Sequence, residues 1–354
     1  MQDLKLLVLE GDGIGPEITR STIDVISAVA PVMERRPTFE AMDIGFSALA
    51  KCGSTIPQDA VIAAKRADGV VLGPVSHNDY PPAEQGGLNP SGTLRKELEL
   101  YANIRPAFTW DGLEAPAQCP FDLVVVRENL EGFYADRNMF QGGGEFLPEP
   151  GVALALRKIT RKGSLRIARS GFELAQKLGK KNVTVIHKAN VMRLSDGLFL
   201  ECVREVAADY PQIELEELIV DAAAAHLVRN PARFDILITT NMFGDILSDL
   251  ASELAGGLGL AGSLNVGDRF AVAQAQHGSA PDIAGLDTAN PVSLILSAEM
   301  LLRHLKEDRA ADAIADGVKE VLKHPATRTR DLGGQLGTQA FTQNLIAVIE
   351  RGLK

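Results

Sequence analysis

Short apolar runs alternate with longer stretches of helical periodicity along this 354-residue chain. Leu4 to Leu9, Gly69 to Leu72, Leu123 to Val126, Val183 to Ile186, Glu214 to Val220 and Ile236 to Thr239 predict strands. Between them, Glu17 to Val29, Arg166 to Leu178, Ser195 to Asp209 and Pro291 to Leu305 carry apolar residues at the spacing of a helix face. Strand and helix in alternation predict an α/β architecture. Gly142-Gly143-Gly144 and the stretch from Pro148 to Gly151 mark an exposed excursion, a hairpin or arm rather than core. There is no internal repeat and no low-complexity tract.

Composition narrows the class. At 45% hydrophobic and 23% charged, the chain has an ordinary globular make-up, and its length suits two domains. The 36 basic and 46 acidic residues give a net charge of −10, which argues against a nonspecific nucleic-acid or anionic-membrane partner. An anionic small molecule would therefore have to be held by specific arginines. Cys52, Cys119 and Cys202 are scattered and include no CxxC pair, so neither a disulfide framework nor a zinc site is indicated. Met1 to Lys5 leads directly into a strand without a signal-like apolar segment, and no run approaches the ~18 residues of a membrane span. The expected location is cytoplasmic.

Candidate chemistry begins with three aspartates. Asp245 and Asp249 are four residues apart in Gly244-Asp245-Ile246-Leu247-Ser248-Asp249-Leu250, which places both carboxylates on one face of a predicted helix. Their mutual repulsion becomes coordination if Mg²⁺ or Mn²⁺ sits between them, and the apolar neighbours Ile246, Leu247, Leu250 and Leu254 argue against a plain solvated face. Asp221 ends Ile219-Val220-Asp221, read as a buried strand that delivers its last residue to a sheet edge.

Two glycine clusters differ in meaning. Gly11-Asp12-Gly13-Ile14-Gly15-Pro16-Glu17 follows a strand and opens a helix, but its third glycine comes one residue early for a dinucleotide fingerprint and Pro16 stands at the helix start. It reads as a tight strand-to-helix turn. His277-Gly278-Ser279-Ala280-Pro281-Asp282-Ile283-Ala284-Gly285, followed by Asn290-Pro291, has small residues that let a ligand approach backbone, and an acid able to accept from ribose hydroxyls. Arg95, Arg105 and Arg127 complete the inventory. Arg127 directly follows the apolar run Val124-Val125-Val126, where its charge needs an anionic partner.

With these motifs in hand, the chain resembles the NAD(P)-dependent β-decarboxylating dehydrogenases, the isocitrate and 3-isopropylmalate dehydrogenase family. The resemblance runs from Gly11 to Gly334. It is carried most specifically by Asn241 to Asp249, His277 to Gly285, His187-Lys188-Ala189-Asn190 and Arg127-Glu128-Asn129-Leu130-Glu131-Gly132-Phe133-Tyr134. It implies an open two-domain α/β fold that is not Rossmann, with the active site in the cleft between domains. Residues 1–100 with 256–354 would form the larger, cofactor-binding domain, and residues 101–255 the smaller domain with the metal ligands and the contact of a homodimer.

The resemblance also implies roles. Arg95, Arg105 and Arg127, with Ser91 and Asn190, would bind a (2R)-malate-type acid, and Asp245 and Asp249 with Asp221 of the neighbouring subunit would hold Mg²⁺ or Mn²⁺. Lys188, with the metal and Asp221, would take the hydroxyl proton, and Tyr134 would protonate the enolate left by decarboxylation. His277, Gly278, Ser279, Ala280, Pro281, Asp282 and Asn290 would bind NAD, Asp282 disfavouring the 2′-phosphate where NADP-using relatives carry Lys followed by Tyr.

Substrate choice rests on Asn89-Pro90-Ser91-Gly92-Thr93-Leu94-Arg95. Where isopropylmalate enzymes carry paired leucines, this stretch is polar and small, so an isocitrate-like or other polar C3 substituent is expected; 3-isopropylmalate, tartrate, D-malate and homoisocitrate are the alternatives. A noncatalytic regulatory subunit is the rival from another class, against which the retention of Lys188, Tyr134 and all three aspartates argues. An anion-binding protein without redox chemistry is the second rival.

Overall fold

A computed structural model describes residues 3–134, 139–140 and 142–353. The strands are β1 (Asp3–Leu9), β2 (Arg36–Met42), β3 (Gly69–Leu72), β4 (Ala102–Phe108), β5 (Asp122–Glu128), β6 (Glu145–Glu149), β7 (Val152–Ala155), β8 (Asn182–His187), β9 (Glu214–Ile219), β10 (Ile236–Thr239), β11 (Leu264–Val266) and β12 (Ala271–Gln274). The helices are α1 (Gly15–Val29), α2 (Gly45–Cys52), α3 (Gln58–Ala64), α4 (Pro90–Glu97), α5 (Arg161–Leu178), α6 (Ser195–Ala207), α7 (Val220–Arg229), α8 (Asn241–Ala255), α9 (Val292–His304), α10 (Asp308–Leu322) and α11 (Thr338–Gly352). No helix among the described residues is long and apolar enough to cross a membrane.

Ten strands form one sheet in the order β2-β1-β3-β12-β11-β4-β5-β10-β8-β9. Five of these strands come from residues 3–72 and 264–274, the other five from residues 102–239. The halves meet where β11 pairs antiparallel with β4, Asn265 opposite Asn103. The central strands β3, β5 and β10 are buried on both faces, which is why they read as continuous apolar runs. Helices cover both faces. The largest core cluster joins α1, α9, α10 and α11 to the sheet and continues to α5 and α6, while a separate cluster packs α7 and α8 against the opposite face.

The first glycine turn is structural, as its spacing predicts. α1 begins with Pro16 in its first turn, and Gly13 adopts φ +58°, with the Ser279 carbonyl occupying the place a Cβ would need. Ile14 N–H donates to that carbonyl at 2.8 Å, so the turn is the platform on which the His277 loop rests. The glycine-flanked excursion is a two-stranded hairpin, β6 with β7, exposed along both strands.

Two expectations need correction. Asp221 does not end a buried strand: β9 is the half-exposed edge of the sheet, the chain turns into α7 after Ile219, and Asp221 is exposed in the first turn of that helix. The glutamates of β9 account for the difference, because Glu216 and Glu217 need solvent and pair there with Arg233 and Arg204. Ile246 is also not a core residue. It is 60% exposed, although Leu247 and Leu254 on the same helix are buried.

Candidate active site

A cavity of about 560 Å³ opens where the two halves of the sheet meet. Arg95 reaches it from α4, Arg105 from β4, Arg127 from the end of β5 and Asp245 from α8; Tyr134, Ser91, His277 and Gly278 also line it. Gly244 makes the approach of α8 possible, since a Cβ there would lie 2.6 Å from Arg127 Cγ.

Two of the arginines, Arg127 and Arg105, are fixed before any ligand arrives. Arg127 is 1% exposed and donates from Nε and Nη2 to Asn241 Oδ1 at 3.0 and 2.7 Å, from Nη2 to Tyr134 Oη at 2.8 Å, and from Nη1 to Asp245. Those four bonds leave one of its five N–H groups for an anion. Arg105 donates from Nε to Asn103 Oδ1 at 2.5 Å and from Nη1 to Ser248 Oγ at 2.7 Å. The same Nη1 lies 3.3 Å from Asp245 and 3.2 Å from Asp249. Burial, with repulsion from Arg127, pushes Arg105 down to about 10, which leaves it charged at neutral pH.

The helical spacing therefore does what it predicts: Asp245 and Asp249 present carboxylates to one guanidinium. Burial alone would raise Asp245, but Arg127 and Arg105 together with Tyr134 hold it below the usual carboxylate range. Tyr134 donates to Asp245 at 2.6 Å, and burial pushes its phenol up, so it stays protonated at neutral pH. Half-exposed oxygen donors in this arrangement fit a hard divalent cation, but as a partial set. No group of three or more His, Cys, Asp or Glu suited to a metal occurs among the described residues of one chain.

The remaining donors lie elsewhere in the chain. Lys188 and Asp221 pair at 2.5 Å, and neither they nor the exposed Asn190 line the cavity. The turn that carries Lys188 is held by Asp196, a buried carboxylate that accepts from Lys188 N–H at 2.5 Å and pairs with Arg157.

On the opposite rim, His277 and Gly278 line the cavity while Asp282 is exposed in the turn Pro281–Ile283. Among the described residues nothing lies within 4 Å of where a Cβ on Gly278 would point, and His277 Nε2 is buried without a partner. An open backbone edge beside an unpaired ring nitrogen fits a dinucleotide. Ser279 bonds Ser76 at 2.7 Å, Ala280 holds φ +38°, and Asn290 is buried with its amide on Asp331 at 2.9 Å.

Asn89, Ser91 and Gln274 line the cavity with Arg95, and Val75 and Ala275 add some apolar surface; Gly92 and Thr93, expected there, do not reach it. Gln274 and Gln276 were not among the expected site residues. Gln276 donates to Asp249 at 2.8 Å. Their alternation in Gln274-Ala275-Gln276-His277, at the end of a strand, puts both on one face and was the available signal. Asn103, Asn265 and Ser248 had no such signal.

Known proteins show the same pattern across the whole chain. The family model described as isocitrate/isopropylmalate dehydrogenase matches residues 5–349. The chain is 41% identical to isocitrate dehydrogenase [NAD] catalytic subunit 6, mitochondrial, of Arabidopsis thaliana, over 96% of this chain and 87% of that protein. It is also 41% identical to 3-isopropylmalate dehydrogenase of Archaeoglobus fulgidus, over 98% and 99% of the two chains. The crystal structure of isocitrate dehydrogenase from Methylococcus capsulatus superposes with a TM-score of 0.89 at 38% identity, covering 99% of this chain and 100% of that one. Matched along essentially its full length in sequence and in fold, the chain belongs to the isocitrate/isopropylmalate dehydrogenase family.

Proposed function

We propose that this cavity oxidises and decarboxylates a (2R)-malate-type acid whose C3 substituent is small or polar. The enzyme class follows from the family: the chain is an NAD-dependent decarboxylating dehydrogenase of hydroxy acids, using Mg²⁺ or Mn²⁺. The single observation that carries the substrate reading is the cavity wall itself, where Asn89, Ser91 and Gln274 present polar side chains and no Leu, Ile, Met or Phe among the described residues takes part to receive a branched alkyl group.

Arg95, Arg105 and Arg127 receive the carboxylates of the acid and fix C2 towards the His277 rim, where the nicotinamide would stand. Asp245 and Asp249, with Asp221 of the partner subunit, would hold the cation, which supplies Lewis-acid polarisation of the C2 oxygen. Lys188 of the partner subunit takes the hydroxyl proton as hydride leaves C2. Tyr134, protonated against Asp245, returns a proton after carbon dioxide departs. The separation of Lys188 and Asp221 from their own chain's cavity supports a site shared across a homodimer. The division into domains of residues 1–100 with 256–354 and of residues 101–255 belongs to the same proposal, and the two five-strand halves of the sheet support it.

Catalytic efficiency with NAD and Mn²⁺ across isocitrate, tartrate, D-malate, homoisocitrate and 3-isopropylmalate tests the reading. A polar or unsubstituted member should lead, and a preference for 3-isopropylmalate would sink it.

A further inference from the structure

A chain of buried amides crosses the junction of the two sheet halves, and its polarity is fixed at its origin. Arg105 has only donors, so the Asn103 atom that receives its Nε at 2.5 Å must be oxygen. Asn103 then turns its amide nitrogen to Asn265 Oδ1 at 3.1 Å and to Ser263 at 2.8 Å. A second fixed donor agrees: Asn129 Nδ2, held by the carbonyl of Leu100 at 3.0 Å, also donates to Asn265 Oδ1 at 3.0 Å. Asn265 must therefore direct its own nitrogen the other way, where the Val272 carbonyl and Gln274 Oε1 each lie 3.4 Å away. Arg95, another pure donor, lies 3.4 Å from that same oxygen. Both asparagines of the relay are buried, so no water is free to reverse it.

The consequence appears at the cavity wall. Since Gln274 Oε1 is the acceptor, Ser91 Oγ at 2.9 Å must donate its one proton to it. Ser91 is left with lone pairs only, and it accepts no hydrogen bond among the described residues. Gln274 Nε2 makes no hydrogen bond among the described residues either, and the side chain lines the cavity. One acceptor and one donor thus stand side by side next to Arg95.

We infer that this pair selects a hydroxyl at C3 of the substrate, making a 3-hydroxymalate (tartrate of 2R configuration) the matched acid. The inference rests on the polar-substituent reading above. A hydroxyl accepts from Gln274 Nε2 and donates to Ser91 Oγ, satisfying both. A carboxymethyl group brings acceptors alone, so it would face the Ser91 lone pairs or break the bond to Gln274; a bare methylene leaves both groups unmade. In the reaction the C2 hydrogen passes as hydride to NAD and the hydroxyl proton is released. The C3 carboxylate bond then breaks to carbon dioxide, and a proton returns to C3, giving hydroxypyruvate and NADH.

The test is kcat/KM for 2R tartrates, D-malate and isocitrate with NAD and Mn²⁺, in the wild type and in Gln274→Glu and Ser91→Ala. The glutamate variant keeps the acceptor for Ser91 but loses the donor; the alanine variant loses the acceptor. Tartrate should exceed isocitrate in the wild type, and the tartrate-to-malate ratio should fall about tenfold or more in each variant. A ratio unchanged in either variant, or a wild type that prefers isocitrate to tartrate, overturns the inference while leaving the polar-substituent reading standing. Preference for 3-isopropylmalate overturns both. Because each variant is judged against its own malate rate, a general loss of folded enzyme does not mimic the effect, and either variant alone suffices if the other fails to fold.

Discussion

Lys188 Nζ lies 2.5 Å from Asp221 Oδ1, joining the end of β8 to the first turn of α7, and this pair stands outside the cavity that Asp245 enters. The base and the metal ligand proposed here, displaced together from the arginines proposed to hold the substrate, make sense if each cavity is completed by a second copy. The Lys188 interaction holds the Asp221 carboxyl below its ordinary range, so it is ionised at neutral pH.

The arrangement makes a specific demand on mixed dimers. Lys188→Ala and Asp245→Asn should each be inactive alone, yet unfolding and refolding them together should restore roughly a quarter of wild-type turnover, because half the dimers are hybrids with one intact site of two. Analytical ultracentrifugation checks that dimers form. No recovery in a mixture that has exchanged subunits would place Lys188 and Asp245 in one chain's own site and contradict a site shared across the dimer.

Lys188→Ala by itself should lower kcat by roughly 10²-fold or more while folding and cofactor binding persist, the size of effect expected for loss of a general base. Steady-state kinetics beside NADH titration measure both. Normal turnover would reduce Lys188 to a surface ion pair with Asp221.

Asp245 is asked to do more than bind a metal. Asp245→Asn removes a hard ligand and also the anion that faces Arg127, Arg105 and Tyr134, so activity should fall below about 1% and extra Mn²⁺ should not restore it. Wild-type turnover in excess chelator would contradict the metal assignment directly.

The cofactor loop carries a different expectation. Asp282 is exposed, whereas Ile283 packs partly against the core, so Asp282→Lys with Ile283→Tyr should move preference towards NADP and cost some thermal stability as well. Side-by-side NAD and NADP kinetics decide it. A wild type that uses both equally well would remove Asp282 from the discrimination.

Stability should carry the mark of Glu128, buried under the site with its carboxylate on the N–H groups of Leu130 and Glu131. Burial pushes it up to about 7 from its ordinary 4.5, so between those values the folded chain binds the proton more tightly than the unfolded one. Its contribution is whole below the lower value and is lost as pH rises through 7, a change of order a few kcal/mol. Melting temperatures of wild type and Glu128→Gln from pH 5 to 8 should diverge, the variant gaining relative to wild type as pH rises. A constant difference would argue against a raised Glu128.

Several strands were legible because they are buried on both faces: Val124-Val125-Val126 and Ile236 to Thr239 can be nothing else in an α/β chain. β4 was not legible, because Asn103, Arg105 and Pro106 interrupt its apolar pattern, and Asn103 and Arg105 themselves serve the site. Polar residues at a sheet junction look like a loop until their partners are known. The spacing of Asp245 and Asp249 showed a shared helix face; that both meet Arg105, some 140 residues earlier, is tertiary information. The amide relay through Asn103, Asn265 and Gln274 joins β4, β11 and β12, which no local pattern connects.

If this cavity couples oxidation to loss of carbon dioxide through a metal, NADH and carbon dioxide must form together, and only with the metal present. The most direct measurement follows NADH by absorbance and carbon dioxide by trapping during turnover of the preferred acid, with Mn²⁺ and then with excess chelator. One NADH per carbon dioxide with metal, and neither without it, is the expected result; NADH formed with no carbon dioxide, or at full rate in chelator, would contradict the account.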